Sequence, residues 1–69
     1  MQVERLIYMA NQIGSYFVSQ RGKDADRRIA DHLKRFWDPR MRNAIVAHVR
    51  QGGSGLDPAV KQAVLLLEK

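Results

Sequence analysis

The two middle helices of the chain should be joined with almost no loop at Phe36-Trp37-Asp38-Pro39-Arg40-Met41-Arg42. Pro39 has a fixed φ and no backbone N–H, which excludes it from a helix interior but suits the first helical position. Asp38 is a strong N-cap, and the proline after it disfavours the α conformation there. One helix should therefore end near Trp37 and the next should begin at Pro39. We expect the rest of the chain to pack around this corner, where three apolar side chains should meet: Phe36, Trp37 and Met41.

Length and composition limit the chain to one small domain. It has 69 residues, of which 45% are hydrophobic, and it has no Cys. A chain of this size buries about 60% of its unfolded surface and is only marginally stable without a metal, a disulfide or a partner. Without Cys it lacks both disulfides and thiolate metal sites, which fits a reducing compartment. We expect a single helical domain over residues 1–69.

Neither a membrane span nor a secretory signal is expected. The longest apolar run covers residues 63–67, whereas a membrane helix needs about 20 apolar residues. Residues 2–5 lack the basic and then apolar pattern of a signal peptide. These features predict a cytoplasmic protein without a membrane partner. The formal charge of +5 permits an acidic protein, a nucleic acid or an acidic membrane surface as partner and does not choose among them.

Residues 2–20 show the periodicity of an amphipathic helix. Its apolar stripe consists of Val3, Leu6, Ile7, Ala10, Ile13, Gly14 and Phe17. Because Gly costs a helix about 1 kcal/mol relative to Ala, we expect another helix to approach closely at Gly14. Met9 and Tyr16 lie seven residues apart on one flank of the stripe. They either widen the core face or form a second contact patch.

A second helix is expected over residues 24–37, with Asp24 as its N-cap and Gly22 as the C-cap before it. Its core residues are predicted to be Ala25, Ile29, Leu33 and Phe36. The far side carries Arg27, Arg28, Asp31, Lys34 and Arg35. This charged face is either solvated, with weak ion pairs along the helix, or a docking face for an acid or a phosphate.

The third helix is expected from Pro39 to about Gln51. Its inward-facing residues are predicted to be Met41, Ala44, Ile45, His48 and Val49. The run Gly52-Gly53-Ser54-Gly55 should end it as a C-cap and flexible connector, because the strand and spacing of a phosphate loop are missing. Asp57-Pro58 then repeats the Asp-Pro helix start and begins a fourth helix. The sequence thus predicts an all-α fold, a small bundle of four helices with short connections.

The fourth helix is apolar nearly all round. Its core stripe is Val60, Ala63, Val64 and Leu67, whereas Leu65 points away from the stripe and Leu66 lies well off it. So small a bundle cannot bury both faces of its last helix, which favours coverage by another chain. A frayed C-terminus is the alternative.

Residues that could support catalysis or metal binding are scarce. His32 and His48 lie at the edges of apolar stripes, without the partners of a zinc site. The serines lack the G-x-S-x-G signature of a nucleophile. A short bundle also leaves little room for the secluded cleft that a general acid or base requires. We therefore expect a protein that is not an enzyme, with no catalytic, cofactor-binding or metal-binding residues.

Two function classes remain from the residues alone. In a helical interaction subunit, Met9, Tyr16, Trp37 and Leu65 would serve as contacts, since aromatic residues are frequent interface hot spots. In a basic nucleic-acid-binding module of the helix-turn-helix kind, Arg40 and Asn43 would begin the recognition helix. The turn is shorter than that motif requires, and basic and acidic residues are mixed. The interaction subunit is therefore preferred.

Several blocks of sequence, spread from about residue 4 to residue 67, match a known family. The most specific block is the corner, Phe36-Trp37-Asp38-Pro39-Arg40-Met41-Arg42, and Met9-Ala10-Asn11-Gln12-Ile13-Gly14 supports it. Generic helix positions add Ile29-Ala30-Asp31-His32-Leu33, Ala47-His48-Val49, Gly55-Leu56 and Ala63-Val64. With these blocks the chain resembles the small delta subunit of bacterial NAD-dependent, molybdenum-type formate dehydrogenases.

The resemblance implies a non-catalytic accessory subunit that assembles or stabilises a formate dehydrogenase complex by docking on its larger subunits. It places molybdopterin, iron–sulfur clusters and flavin on those partner subunits and no cofactor on this chain. The docking residues would be Trp37, Arg40 and Arg42 at the corner, together with Leu65; alternatively, Trp37 fills the chain's own core. In isolation, a two-fold homodimer would be the simplest way to cover Leu65.

Overall fold

Four helices with short connections make up the computed structural model, which describes residues 2–20 and 24–67. The helices are α1 (Val3–Ser19), α2 (Ala25–Phe36), α3 (Pro39–Arg50) and α4 (Pro58–Leu67). The described ranges contain no strand. The predicted all-α class, the four helices and both Asp-Pro helix starts are confirmed. Not one of these helices is long and apolar enough to cross a membrane.

Hydrogen bonds from both helices stabilise the corner between α2 and α3. The Trp37 N–H donates to the Leu33 carbonyl at 2.9 Å and closes α2. Asp38 then caps α3, because its Oδ1 accepts from the Met41 N–H at 2.9 Å, and Pro39 takes the first helical position. The Arg42 Nη1 donates to the Lys34 carbonyl at 3.2 Å and ties α3 back to the end of α2.

The core lies between the four helices and includes Trp37 of the corner. Its buried residues are Leu6, Ala10, Ile29, Ala30, Leu33, Trp37, Ile45, Leu56, Val60, Ala63 and Val64. The close approach predicted at Gly14 is confirmed, since a Cβ there would collide with Cγ2 of Val60 on α4. A residue without a side chain therefore allows α1 and α4 to touch.

Two predictions about α2 are wrong. Phe36 is 71% exposed instead of buried, because the chain leaves the helix at Trp37 and the larger indole takes the core position. Asp24 occupies the N-cap position but makes no side-chain capping hydrogen bond. Its backbone, with φ −114° and ψ 31°, is outside the extended region in which N-cap residues usually accept such bonds. The predicted C-cap, Gly22, lies outside the described residues.

The connection from α3 to α4 is anchored to α1. Gly52 and Gly53 have φ values of 118° and 66°, and their N–H groups donate to carbonyls of the last turn of α3, which confirms the glycine C-cap. The Asn11 Nδ2 donates to the Gly55 carbonyl at 2.9 Å, and its Oδ1 accepts from the Asp57 N–H at 3.0 Å. One amide side chain thus pairs with the backbone on both sides of Leu56.

Candidate functional site

The structure does not gather the sequence-predicted contact residues into one patch. Trp37 is only 5% exposed and belongs to the core, so it presents little surface to a partner. Arg40 is exposed, whereas Arg42 is half-buried and bonded to the Lys34 carbonyl. The corner therefore acts first as a support of the fold.

The remaining candidates are exposed but lie apart. Met9 is 37% exposed and Tyr16 is 61% exposed, on the same flank of α1 but beside different surface pockets. Leu65 is 41% exposed on α4, while Leu66 and Leu67 are half-buried against the core. The last helix thus keeps an uncovered apolar side chain, as its sequence indicates.

A continuous row of aromatic rings crosses from α1 to α2. Tyr16 packs edge-on against Phe17 with ring centroids 5.2 Å apart, and Phe17 meets His32 at 5.9 Å. His32 in turn lies 4.7 Å from Phe36. We call Tyr16, Phe17, His32 and Phe36 the aromatic row. Its two ends, Tyr16 and Phe36, are largely exposed, whereas Phe17 is packed on the core.

The surface beside the aromatic row is concave and apolar. A pocket of ≈ 300 Å³ adjoins it and is lined by Gln12, Ile13, Tyr16, Phe17 and His32. Within the aromatic row, the sequence pattern predicted only Tyr16 as a contact residue, because it assigned Phe36 to the core and His32 to the edge of the core. The one-turn spacing of His32 and Phe36 was the signal that could have predicted the ring contact on α2.

A second surface feature lies on the opposite flank of α2. This groove of ≈ 390 Å³ runs between α2, α3 and α4, and we call it the basic groove. Its cationic residues are Arg27, Lys34 and Arg42, and its apolar residues include Ala30, Val46, Leu66 and Leu67. The carboxylate among its lining residues, Asp31, forms an ion pair with Arg35 at 3.1 Å. The charged face of α2 is thus one wall of a groove instead of a flat surface.

The polar side chains of the described residues lie at or near the surface. His48 Nε2 lies 2.7 Å from the Ser54 carbonyl oxygen and has the single hydrogen bond of a core-edge residue. Residues 2–20 and 24–67 hold no group of three His, Cys, Asp or Glu that could bind a metal ion, and no polar or charged residue among them is buried. The expected lack of a catalytic or cofactor site stays a prediction.

A comparison with known protein families shows to which family the chain belongs. The model of the NADH-dependent formate dehydrogenase delta subunit family, FdsD, matches residues 5–64. The chain belongs to this family. No curated protein and no solved structure matches it. The resemblance seen in the sequence is therefore confirmed.

The structure explains the two sequence blocks that carry the resemblance to the delta-subunit family, because their residues have identifiable roles in the fold. In the first block, Ala10 is buried, Asn11 holds the loop before α4, and Gly14 admits Val60. The second block forms the capped corner described above. These residues build the fold of the chain.

Proposed function

We propose that this chain is a non-catalytic accessory subunit that docks on the larger subunits of an NAD-dependent formate dehydrogenase and assembles or stabilises the complex. Membership of the delta-subunit family supports the assignment to a formate dehydrogenase complex. In this proposal molybdopterin, iron–sulfur clusters and flavin are bound by the partner subunits. The observation that carries the docking role is the aromatic row with its two exposed ends.

The aromatic row has the physical properties of an interface hot spot. Tyr16 and Phe36 are 61% and 71% exposed, so both have apolar surface to bury. Their rings already rest on Phe17 and His32, which lowers the side-chain entropy lost on docking. Truncation of such an aromatic anchor commonly costs about 2 kcal/mol or more of binding free energy.

The fold changes the roles of the corner residues in this proposal. Trp37 supports the core, so its substitution would disturb folding before docking. Arg40 is exposed and remains a candidate for the polar rim of the interface. The nucleic-acid alternative is less favoured, because Trp37 and Asp38 alone join α2 to α3, and this connection is shorter than the turn of a helix-turn-helix motif.

The test measures the affinity of the chain for the remaining formate dehydrogenase subunits, purified together without it. Tyr16→Ala and Phe36→Ala should each raise Kd about 30-fold, as expected for loss of a hot-spot residue. Tyr8→Ala is the matched control, because Tyr8 is 65% exposed on the same helix and has no ring contact with the described aromatic residues. Circular dichroism should show that all three variants fold.

Two results would contradict the proposal. Equal Kd values for the wild type, Tyr16→Ala and Phe36→Ala would remove the aromatic row from the interface. Absence of any binding by the folded wild-type chain would remove the docking role itself.

A further inference from the structure

We propose that the basic groove receives an acidic segment of a partner protein that also carries aliphatic side chains. This inference rests on the proposed function, because the partner is one of the subunits on which the chain docks. It adds a second contact surface, on the flank of α2 opposite the aromatic row, and it states the chemistry of the segment that binds there.

The charges that line the groove favour a carboxylate-bearing partner. Arg27 and Lys34 are exposed on α2, and neither forms an ion pair within residues 2–20 and 24–67. The Arg42 guanidinium is fixed against the Lys34 carbonyl by one N–H, which leaves further donors of its planar fork for an acidic group. Asp31, the carboxylate among the lining residues, is neutralised by Arg35. The groove is therefore positively charged.

The apolar part of the groove distinguishes an acidic protein segment from a bare polyanion. Val46, Leu66 and Leu67 are half-buried and packed against the core, yet they also line the groove. A phosphate backbone has no aliphatic groups to cover them, whereas a segment that alternates Asp or Glu with Leu or Val does. Burial of this apolar surface favours binding of such a segment.

The overall charge of the chain argues against a second copy as the occupant. The formal charge is +5, so a homodimer formed through this groove would bring two positive surfaces together, which is unfavourable. An acidic segment would instead be attracted at long range and oriented by the field of the groove. We therefore assign the groove to a different protein.

Zero-length carbodiimide cross-linking of the assembled complex tests the chemistry directly, because this reagent joins a lysine amine to a carboxylate in contact with it. Lys34 should become linked to Asp or Glu of a partner subunit, in a peptide that also contains aliphatic residues. Lys61, which lies outside the groove, is the reference amine in the same digest. Linkage of Lys61 without linkage of Lys34 would overturn the proposal.

A matched pair of charge reversals provides the second measurement. Arg27→Glu and Arg5→Glu make the same change of charge at the third position of α2 and of α1, where an acid is compatible with the helix dipole. Only Arg27 lines the groove. At about 50 mM NaCl, Arg27→Glu should raise Kd for the remaining subunits about five- to tenfold, and Arg5→Glu should change it less than about twofold.

Three outcomes count against the proposal, and they are distinguishable. If wild-type binding depends on Tyr16 and Phe36 but Arg27→Glu binds as tightly as wild type, the groove proposal is wrong and the proposed function stands. If Arg27→Glu instead weakens binding to a short DNA duplex, or dissociates a homodimer seen by sedimentation, the occupant is a nucleic acid or a second copy. If the wild type binds no subunit, both proposals fail.

Discussion

Gly14→Ala tests the contact between α1 and α4 most directly. Two effects oppose each other at this position. Replacing Gly by Ala inside a helix contributes about 1 kcal/mol of helix stability. The new Cβ, however, collides with Cγ2 of Val60, a side chain with 0% exposure. A valine in a helix has essentially one χ1 rotamer, so the methyl group cannot swing aside.

The steric effect should dominate. Overpacking a well-filled core costs about 1–3 kcal/mol, and the stiff, fully buried neighbour places this substitution at the upper end. The expected net loss is thus about 2 kcal/mol of the free energy of unfolding, which corresponds to a fall in Tm of about 8–16 °C for a domain of this size. Thermal and urea denaturation followed by circular dichroism provide the measurement.

A double-mutant cycle isolates the contact. Val60→Ala alone should cost about 1.5–3 kcal/mol, because it removes buried methyl groups. In Gly14→Ala/Val60→Ala, the new methyl group occupies part of the space that valine leaves, so the combined loss should be about 1–2 kcal/mol smaller than the sum. A stabilised Gly14→Ala variant, or additive losses in the double variant, would refute the close approach of α1 and α4.

Two further predictions concern the connections between helices. Asp38→Ala should lower stability by about 1 kcal/mol through loss of the cap on Met41, whereas Asp24→Ala, which removes no capping bond, should cost less than about 0.5 kcal/mol; equal losses in urea denaturation would contradict the assigned caps. Asn11→Ala should cost about 1–2 kcal/mol, because it removes two hydrogen bonds to the loop before α4. Gln12→Ala on the exposed side of α1 is its control, and similar stabilities for these two variants would refute the anchoring role of Asn11.

Local sequence rules predicted the parts of the fold that depend on neighbouring residues. Asp38-Pro39 fixed a helix boundary because proline geometry and N-capping act within a few residues. Gly14 was also informative, since glycine inside an apolar stripe has few explanations other than close packing. Both features can be read from the sequence of a single helix, although the contact at Gly14 is made with α4.

The contact surfaces depended on how the helices are arranged, which periodicity does not report. Phe36 and Trp37 are adjacent and both apolar, and the sequence does not show which of them turns inward when the helix ends between them. The aromatic row joins residues from α1 and α2, so it exists only after those helices pack. Arg27 and Lys34 likewise become groove residues only when α3 and α4 form the other walls.

Hydroxyl-radical footprinting of the chain, free and bound to the remaining formate dehydrogenase subunits, tests whether the aromatic row is buried on docking. Aromatic side chains react according to their exposure, so each residue reports its own burial. We expect strong protection of Tyr16 and Phe36 in the complex and unchanged oxidation of Tyr8. Undiminished oxidation of Tyr16 and Phe36 in a complex that still contains the chain would contradict it.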